Sequence, residues 1–196
     1  MEVPATAKQL QDFGEEAAWG IQDFGTIVDV NMYVDTADVV LFGRLGTSGP
    51  GRIEYLGPGI YFEHANLELL CVEVIKGSMP VPSQPAYLEL DWALGKGVDR
   101  LMEVTPLGAR VIFLGGYVKD ALESAQAVDA EGDIGAVDRV KTNLFSVPFN
   151  GLLVEGVNGK TYTPLYDGPL FVNGPDELAN FEDAMAIIRA TADRYY

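Results

Sequence analysis

Four apolar runs stand out along the chain, at residues 39–45, 67–75, 86–92 and 109–115, split by loops rich in Gly, Pro and charge. They are rich in residues that favour strands, and successive residues of a strand face opposite ways. In the first run Val39, Leu41 and Leu45 share one face, with Asp38 and Arg44 on the other. The second is apolar on both faces, which predicts a strand covered on both sides. In the third, Ala86, Leu88, Leu90 and Trp92 oppose Tyr87, Glu89 and Asp91, the pattern of a half-exposed strand. The fourth is nearly all apolar.

Around these strands the pattern predicts flanking elements. Leu10, Phe13 and Ala17 form one stripe of a short helix over residues 5–19, weakened by Gly14. Residues 27–34 fit an extra strand or a turn of helix. The cluster at residues 46–51 (GTSGPG) reads as a hairpin turn, and residues 52–61 as part of a folded-over hairpin arm with a second turn signal at residues 57–59. Residues 120–127 can form a short helix, followed by an acidic loop at 129–138. Two more runs, 144–149 and 152–157, follow, with Pro148 marking an edge strand or a break. Asn158-Gly159 predicts a two-residue hairpin turn, with residues 161–166 as the return strand. A C-terminal helix follows, with Asn173 or Gly174 as cap and Pro175 in the first turn. Its seam of Leu178, Phe181, Met185, Ile188, Ala192 and Tyr195 is expected to cover the outer face of the second strand.

The expected fold is therefore mainly β with flanking helices: an OB-like β-barrel with a long first hairpin, an additional C-terminal hairpin and a C-terminal helix. One domain spans residues 1–196. It comprises a helical or extended lead-in (1–36), the barrel core (37–118), an acidic loop with a short helix (119–142), a hairpin (143–172) and the C-terminal helix (173–196).

Composition narrows the function. The 196 residues hold 13 Lys+Arg against 29 Asp+Glu, a net charge of −16. Such a chain repels nucleic acid and anionic membrane, whose binding relies on Lys and Arg, and it suits solubility, cations and basic partners. No apolar run is long enough to be a transmembrane segment. The start, MEVP, lacks the basic and apolar regions of a signal peptide. Either the chain is cytoplasmic or a leader has been removed. The single cysteine, Cys71, excludes an intramolecular disulfide and reads as a small buried hydrophobe.

Candidate chemistry is sparse. The 46–51 cluster lacks the Lys-Ser/Thr of a phosphate loop and the spacing of a nucleophile elbow. His64 is the only histidine; Glu63 or Glu68 could orient it, but no activated serine accompanies it, and it is expected in a loop beside a strand. Glu89, Asp91 and Glu103 offer carboxylate pairs, with Glu89 and Asp91 roughly 7 Å apart on one strand face. Asp129, Glu131, Asp133 and Asp138 are candidate ligands for a calcium ion, although Ile134 stands where an EF-hand needs Gly. Tyr55, Tyr61, Phe62, His64 and Trp92 are candidate binding residues, because OB-type barrels take ligands on such surfaces.

Three stretches, ADVVLFGR (37–44), CVEVIKG (71–77) and GARVIFL (108–114), carry a resemblance. They resemble β-barrel motifs of uncharacterised exported bacterial proteins. More distantly they are similar to the OB-fold barrel of netrin-like modules, which include the tissue inhibitors of metalloproteinases. Those inhibitors use disulfides and an N-terminal cysteine that this chain lacks, so their activity does not carry over. The resemblance implies a fold and a secreted or cell-surface location, with the cytoplasm as the alternative. The expected function is a non-enzymatic binding or interaction module that engages a protein partner or self-assembles, without cofactor. The alternatives are a carboxylate-dependent hydrolase or lyase and a cation-stabilised structural protein.

Overall fold

A computed structural model describes residues 5–17, 30–58, 60–92, 97–119, 121–131, 137–148, 151–163 and 180–195. The strands are β1 (Val39–Gly57), β2 (Ile60–Lys76), β3 (Ala86–Trp92), β4 (Arg110–Tyr117), β5 (Leu144–Ser146), β6 (Leu152–Glu155) and β7 (Thr161–Tyr162). The helices are α1 (Ala7–Ala17), α2 (Val30–Thr36), α3 (Asp99–Val104), α4 (Ala121–Glu131) and α5 (Phe181–Ala192). The fold is mainly β. Antiparallel pairs β1–β2, β2–β3, β4–β5 and β1–β4, with parallel β3–β5, close a five-strand ring of hydrogen bonds. The ring is uneven, because β4 meets β5 only at Gly116 and Tyr117, while β6 pairs with β4 at residues 111–113. Strands β5 and β6 thus line the same edge of β4 in series, broken around Pro148 as its missing N–H predicts.

Alternation divides the apolar residues into two layers. Val39, Leu41, Leu67, Leu88, Val111 and Phe113 point into the ring, where Leu10 and Phe13 of α1 and Leu101 of α3 join them. Val40, Ile112, Leu114 and Leu153 point outward, beneath α2 and α5. The α1 stripe of Leu10, Phe13 and Ala17 is buried as its spacing predicts. Thr6 and Gln9 close its N-terminus as a reciprocal capping box, with Thr6 N–H donating to Gln9 Oε1 at 2.9 Å. Residues 30–36 are helical, and the Lys76 ammonium caps that helix by donating to the carbonyls of Val34, Asp35 and Ala37.

The C-terminal helix keeps its seam at Phe181, Met185, Ile188 and Ala192. Its cap is Asn180, whose side chain accepts from Glu182 N–H; the caps read at 173–175, and Leu178, lie outside the described residues. It covers β1, β4 and β6 and reaches β2 only at its end, where Ile75 joins the same layer and Arg189 pairs with Glu73, while Leu70 on the outer face of β2 remains 39% exposed. The chain reverses at Asn158-Gly159 with both residues at positive φ, but through a three-residue 3-10 turn, Val157–Gly159, and not the two-residue turn expected; β6 pairs with β7 across it.

Two further expectations are corrected. The 46–51 cluster is not a turn: β1 runs through it without interruption, and the hairpin reverses at residues 57–60. Its glycines permit close approach instead, since a Cβ at Gly46 would strike Glu68 and one at Gly51 would lie 2.8 Å from the His64 backbone. Cys71 is exposed, not buried. Between Phe42↔Glu73 and Arg44↔Leu70, β1 advances two residues and β2 three, so β2 bulges at Cys71, whose φ is 53°. The bulge shifts the inward phase, and Val72 packs against the interior in its place.

Candidate functional site

The outer face of β1, β2 and β3, beyond the part covered by helices α2 and α5, carries polar residues that the sequence pattern leaves scattered. Period two puts Phe62, His64 and Asn66 of β2 opposite the inward Ala65 and Leu67, and puts Glu89 and Asp91 of β3 opposite Leu88 and Leu90. The register sets His64 beside Asp91 and Asn66 beside Glu89. On β1, Glu54 pairs with Phe62. Between Pro50↔Ala65 and Ile53↔Glu63, β1 advances three residues against two, a bulge that brings Arg52 onto the same face. Gly51, lacking a Cβ, lets the bulged strand ride close over His64.

Arg52 spans β2 to reach β3. Its Nε donates to Glu89 Oε2 at 2.8 Å and its Nη2 to Glu89 Oε1 at 3.1 Å, a bidentate pair with both side chains below 10% exposure. Nη2 also lies 3.6 Å from Glu54 Oε2. His64 Nε2 lies 3.3 Å from the same Glu54 oxygen, and Nδ1 stands 3.5 Å from Glu89 Oε1 and 3.6 Å from Asp91 Oδ1. The Phe62 ring meets His64 edge-on at 5.1 Å. Nδ1 of His64 and both amide atoms of Asn66 are buried without a hydrogen-bond partner.

Burial dominates the electrostatics. It pushes Glu89 up to about 7, with Arg52 opposing and Glu54 and Asp91 adding to the rise. Burial, then the Arg52 charge, lowers His64 to about 4. Asp91 is raised by burial and then by Glu54. At neutral pH His64 is therefore uncharged: its Glu54 contact is a hydrogen bond, while its approaches to Glu89 and Asp91 are neither ion pairs nor hydrogen bonds. In the tautomer that donates from Nε2 to Glu54, Nδ1 carries a bare lone pair; the Leu90 carbonyl also lies against the ring. Glu89 is half-protonated near neutrality and can give or take a proton, while Asp91 and Glu54, 41% and 36% exposed in their side chains, form the rim.

Sequence reasoning singled out His64, Phe62, Glu89 and Asp91 but did not join them. His64 lies in strand β2 and is buried, not in a loop, and Glu89 is 5% exposed rather than half-exposed. Arg52, Glu54 and Asn66 were missed; alternating polar positions through residues 52–54 and 62–66 were the available signal. The other candidates lie elsewhere. Tyr55 and Tyr61 pair across the arm, ring centroids 6.1 Å apart, and pack with Ala125 and Val128 of α4. Trp92 is 1% exposed among interior residues and donates to Gly97 O. Glu103 pairs with Arg100 on exposed α3.

Asp129 and Glu131 belong to the last turn of α4, not to a loop, because that helix runs longer than its sequence signal. Asp138 sits in a short 3-10 turn, and Asp133 lies outside the described residues. Among the described residues no group of three or more His, Cys, Asp or Glu is disposed to hold a metal ion. In the three-strand cluster the guanidinium of Arg52 already takes the place of a cation. No helix among the described residues is long and apolar enough to cross a membrane. No protein-family model, curated protein or solved structure matches this chain, so the likeness to netrin-like modules gains no support there.

Proposed function

We propose that the chain is a non-enzymatic interaction module on an OB-like barrel, taking a protein partner on the outer β2–β3 face and along the β1–β2 arm. The observation that carries this reading is the buried, incompletely paired polar cluster of Arg52, His64, Asn66 and Glu89, with Asp91 at its exposed rim. The strand order β1-β2-β3-β5-β4, returning to β1, supports the OB-like assignment. Such barrels use the face of their second and third strands and the adjoining loops for ligands. Here that face bears the cluster, the β1–β2 connection is the arm, and α4, which braces the arm, lies between β4 and β5. The arm ends in Leu56 and Ile60, each 58% exposed. The exported bacterial setting rests on the strand-motif resemblance alone.

A photo-reactive residue at position 56 tests this. It should give one discrete adduct that Ile60→Asp abolishes, whereas the same group at Leu107, 63% exposed between α3 and β4, should not. An adduct of twice the chain mass from purified protein identifies a second copy as partner. Equal adducts from both positions, indifferent to Ile60→Asp, would refute the reading.

A second reading, a carboxylate-dependent hydrolase or lyase, draws on one observation: Glu89, held partly protonated at neutral pH, stands with rim-exposed Asp91 about His64 Nδ1. A substrate panel assayed with Glu89→Gln and Asp91→Asn decides it. A turnover that both variants retain would remove these carboxylates from the chemistry.

A further inference from the structure

With Glu89 ionised and the His64 proton on Nε2, three acceptors converge on one point of the β2–β3 face. They are the Nδ1 lone pair of His64, Glu89 Oε1 at 3.5 Å and Asp91 Oδ1 at 3.6 Å from it. Nδ1 has no hydrogen-bond partner, and on the next outward position neither amide atom of Asn66 has one. His64 and Asn66 are 5% and 4% exposed. A buried polar atom left unpaired costs about 1–3 kcal/mol, so a native site of this kind calls for a group that pairs it.

The chemistry of that group follows from the cluster. It must donate, because the converging atoms accept. It should be positive, because Glu54, Glu89 and Asp91 supply three carboxyl groups against the single guanidinium of Arg52. A planar guanidinium is a poor fit, since Arg52 already occupies both oxygens of Glu89. A primary ammonium has three donors, no acceptor and one compact charge. Asp91 and Glu54 leave a negative rim for its approach. Phe62, half-buried against the His64 ring, offers an apolar surface for the methylene stem behind such a group.

We propose that this face is a receptor for a primary ammonium group, presented by a lysine side chain of a basic partner segment. The proposal rests on the interaction reading only for the source of the amine; the convergence of acceptors stands apart from it. Binding favours ionised Glu89, so it strengthens as pH rises past neutrality and releases a proton below that range.

The test follows the His64 ring and Asn66 side-chain amide signals by NMR in the whole chain. The ligands are butylamine, a lysine-containing peptide and the same peptide acetylated on its Nε. Saturable shifts are expected from the first two and none from the third. Asp91→Asn should weaken both amines about tenfold, or about 1.4 kcal/mol. Glu54→Gln provides a second rim variant, and the same spectra report whether each variant is folded. A peptide that binds more tightly than butylamine identifies a partner segment, and equal binding identifies a small free amine, which overturns the lysine source. No saturable shift from either amine, equal shifts from the acetylated peptide, or a bound water that amines do not displace would overturn the receptor itself. Amine binding without an arm-tip adduct would refute the interaction reading and leave the receptor standing; the reverse pair of results would do the opposite.

Discussion

Replacing Glu89 by Gln removes one titrating group from the cluster while keeping its shape, and the consequence can be worked out in sign and size. In the folded chain Glu89 titrates at about 7 against an ordinary 4.5, because burial outweighs the help of Arg52. Between those pH values the native state holds a proton that the unfolded chain has released, so native stability falls as pH rises, by about 1.4 kcal/mol per unit. Across the interval the loss is about 3 kcal/mol, undiscounted because the side chain is 4% exposed. His64 works the other way. Its folded value lies at about 4 against 6.5, so the unfolded chain binds the proton there and stability rises with pH over that window. The two slopes oppose each other from about pH 4.5 to 6.5, and only Glu89 still titrates from there to about 7. The raised Asp91 adds to the Glu89 slope. Subtracting the wild-type curve from that of Glu89→Gln leaves the slope that Glu89 contributes together with its coupling to Asp91 and Glu54. Urea unfolding across this pH range should show the variant gaining on wild type by about 3 kcal/mol between pH 4.5 and about 7, with unchanged denaturant slopes. Parallel curves with a constant offset would mean that Glu89 titrates alike in the folded and unfolded chain.

Two other outcomes test the packing. Cys71, exposed on the β2 bulge, should react with a thiol reagent in the folded protein without denaturant; protection until unfolding would contradict the bulge. Ile188→Ala should cost about 2–5 kcal/mol, because its side chain is fully buried in the layer of Ile112, Leu114 and Leu153. At roughly 2–4 °C per kcal/mol for a chain of this size, the melting point should fall visibly, and an unchanged one would mean that α5 does not seat on β4 and β6.

Sequence alone located most of the strands and helices and, where a run alternates, which of its residues turn inward. The alternating positions of β1 and β3 mark most of their inward residues in their spelling, the stripes of α1 and α5 likewise, and the reversal at Asn158-Gly159 needs only its local φ preference. Turn signals at residues 46–51 misled, because Gly, Pro and Ser read alike in a reversal and in a bulged strand. What separates these is the neighbouring strand, and only the tertiary structure supplies it. One extra residue in β1 near Gly51 carries Arg52 onto the face of His64 and Glu89, 12 and 37 positions away in the chain. No local pattern encodes that meeting, because register is a property of two strands, and a shift of one residue exchanges faces. The same holds for protonation. Glu89 and Asp91 are similar acids two residues apart, and burial beneath the folded chain, not their spelling, makes one a near-neutral proton carrier and the other a half-open rim.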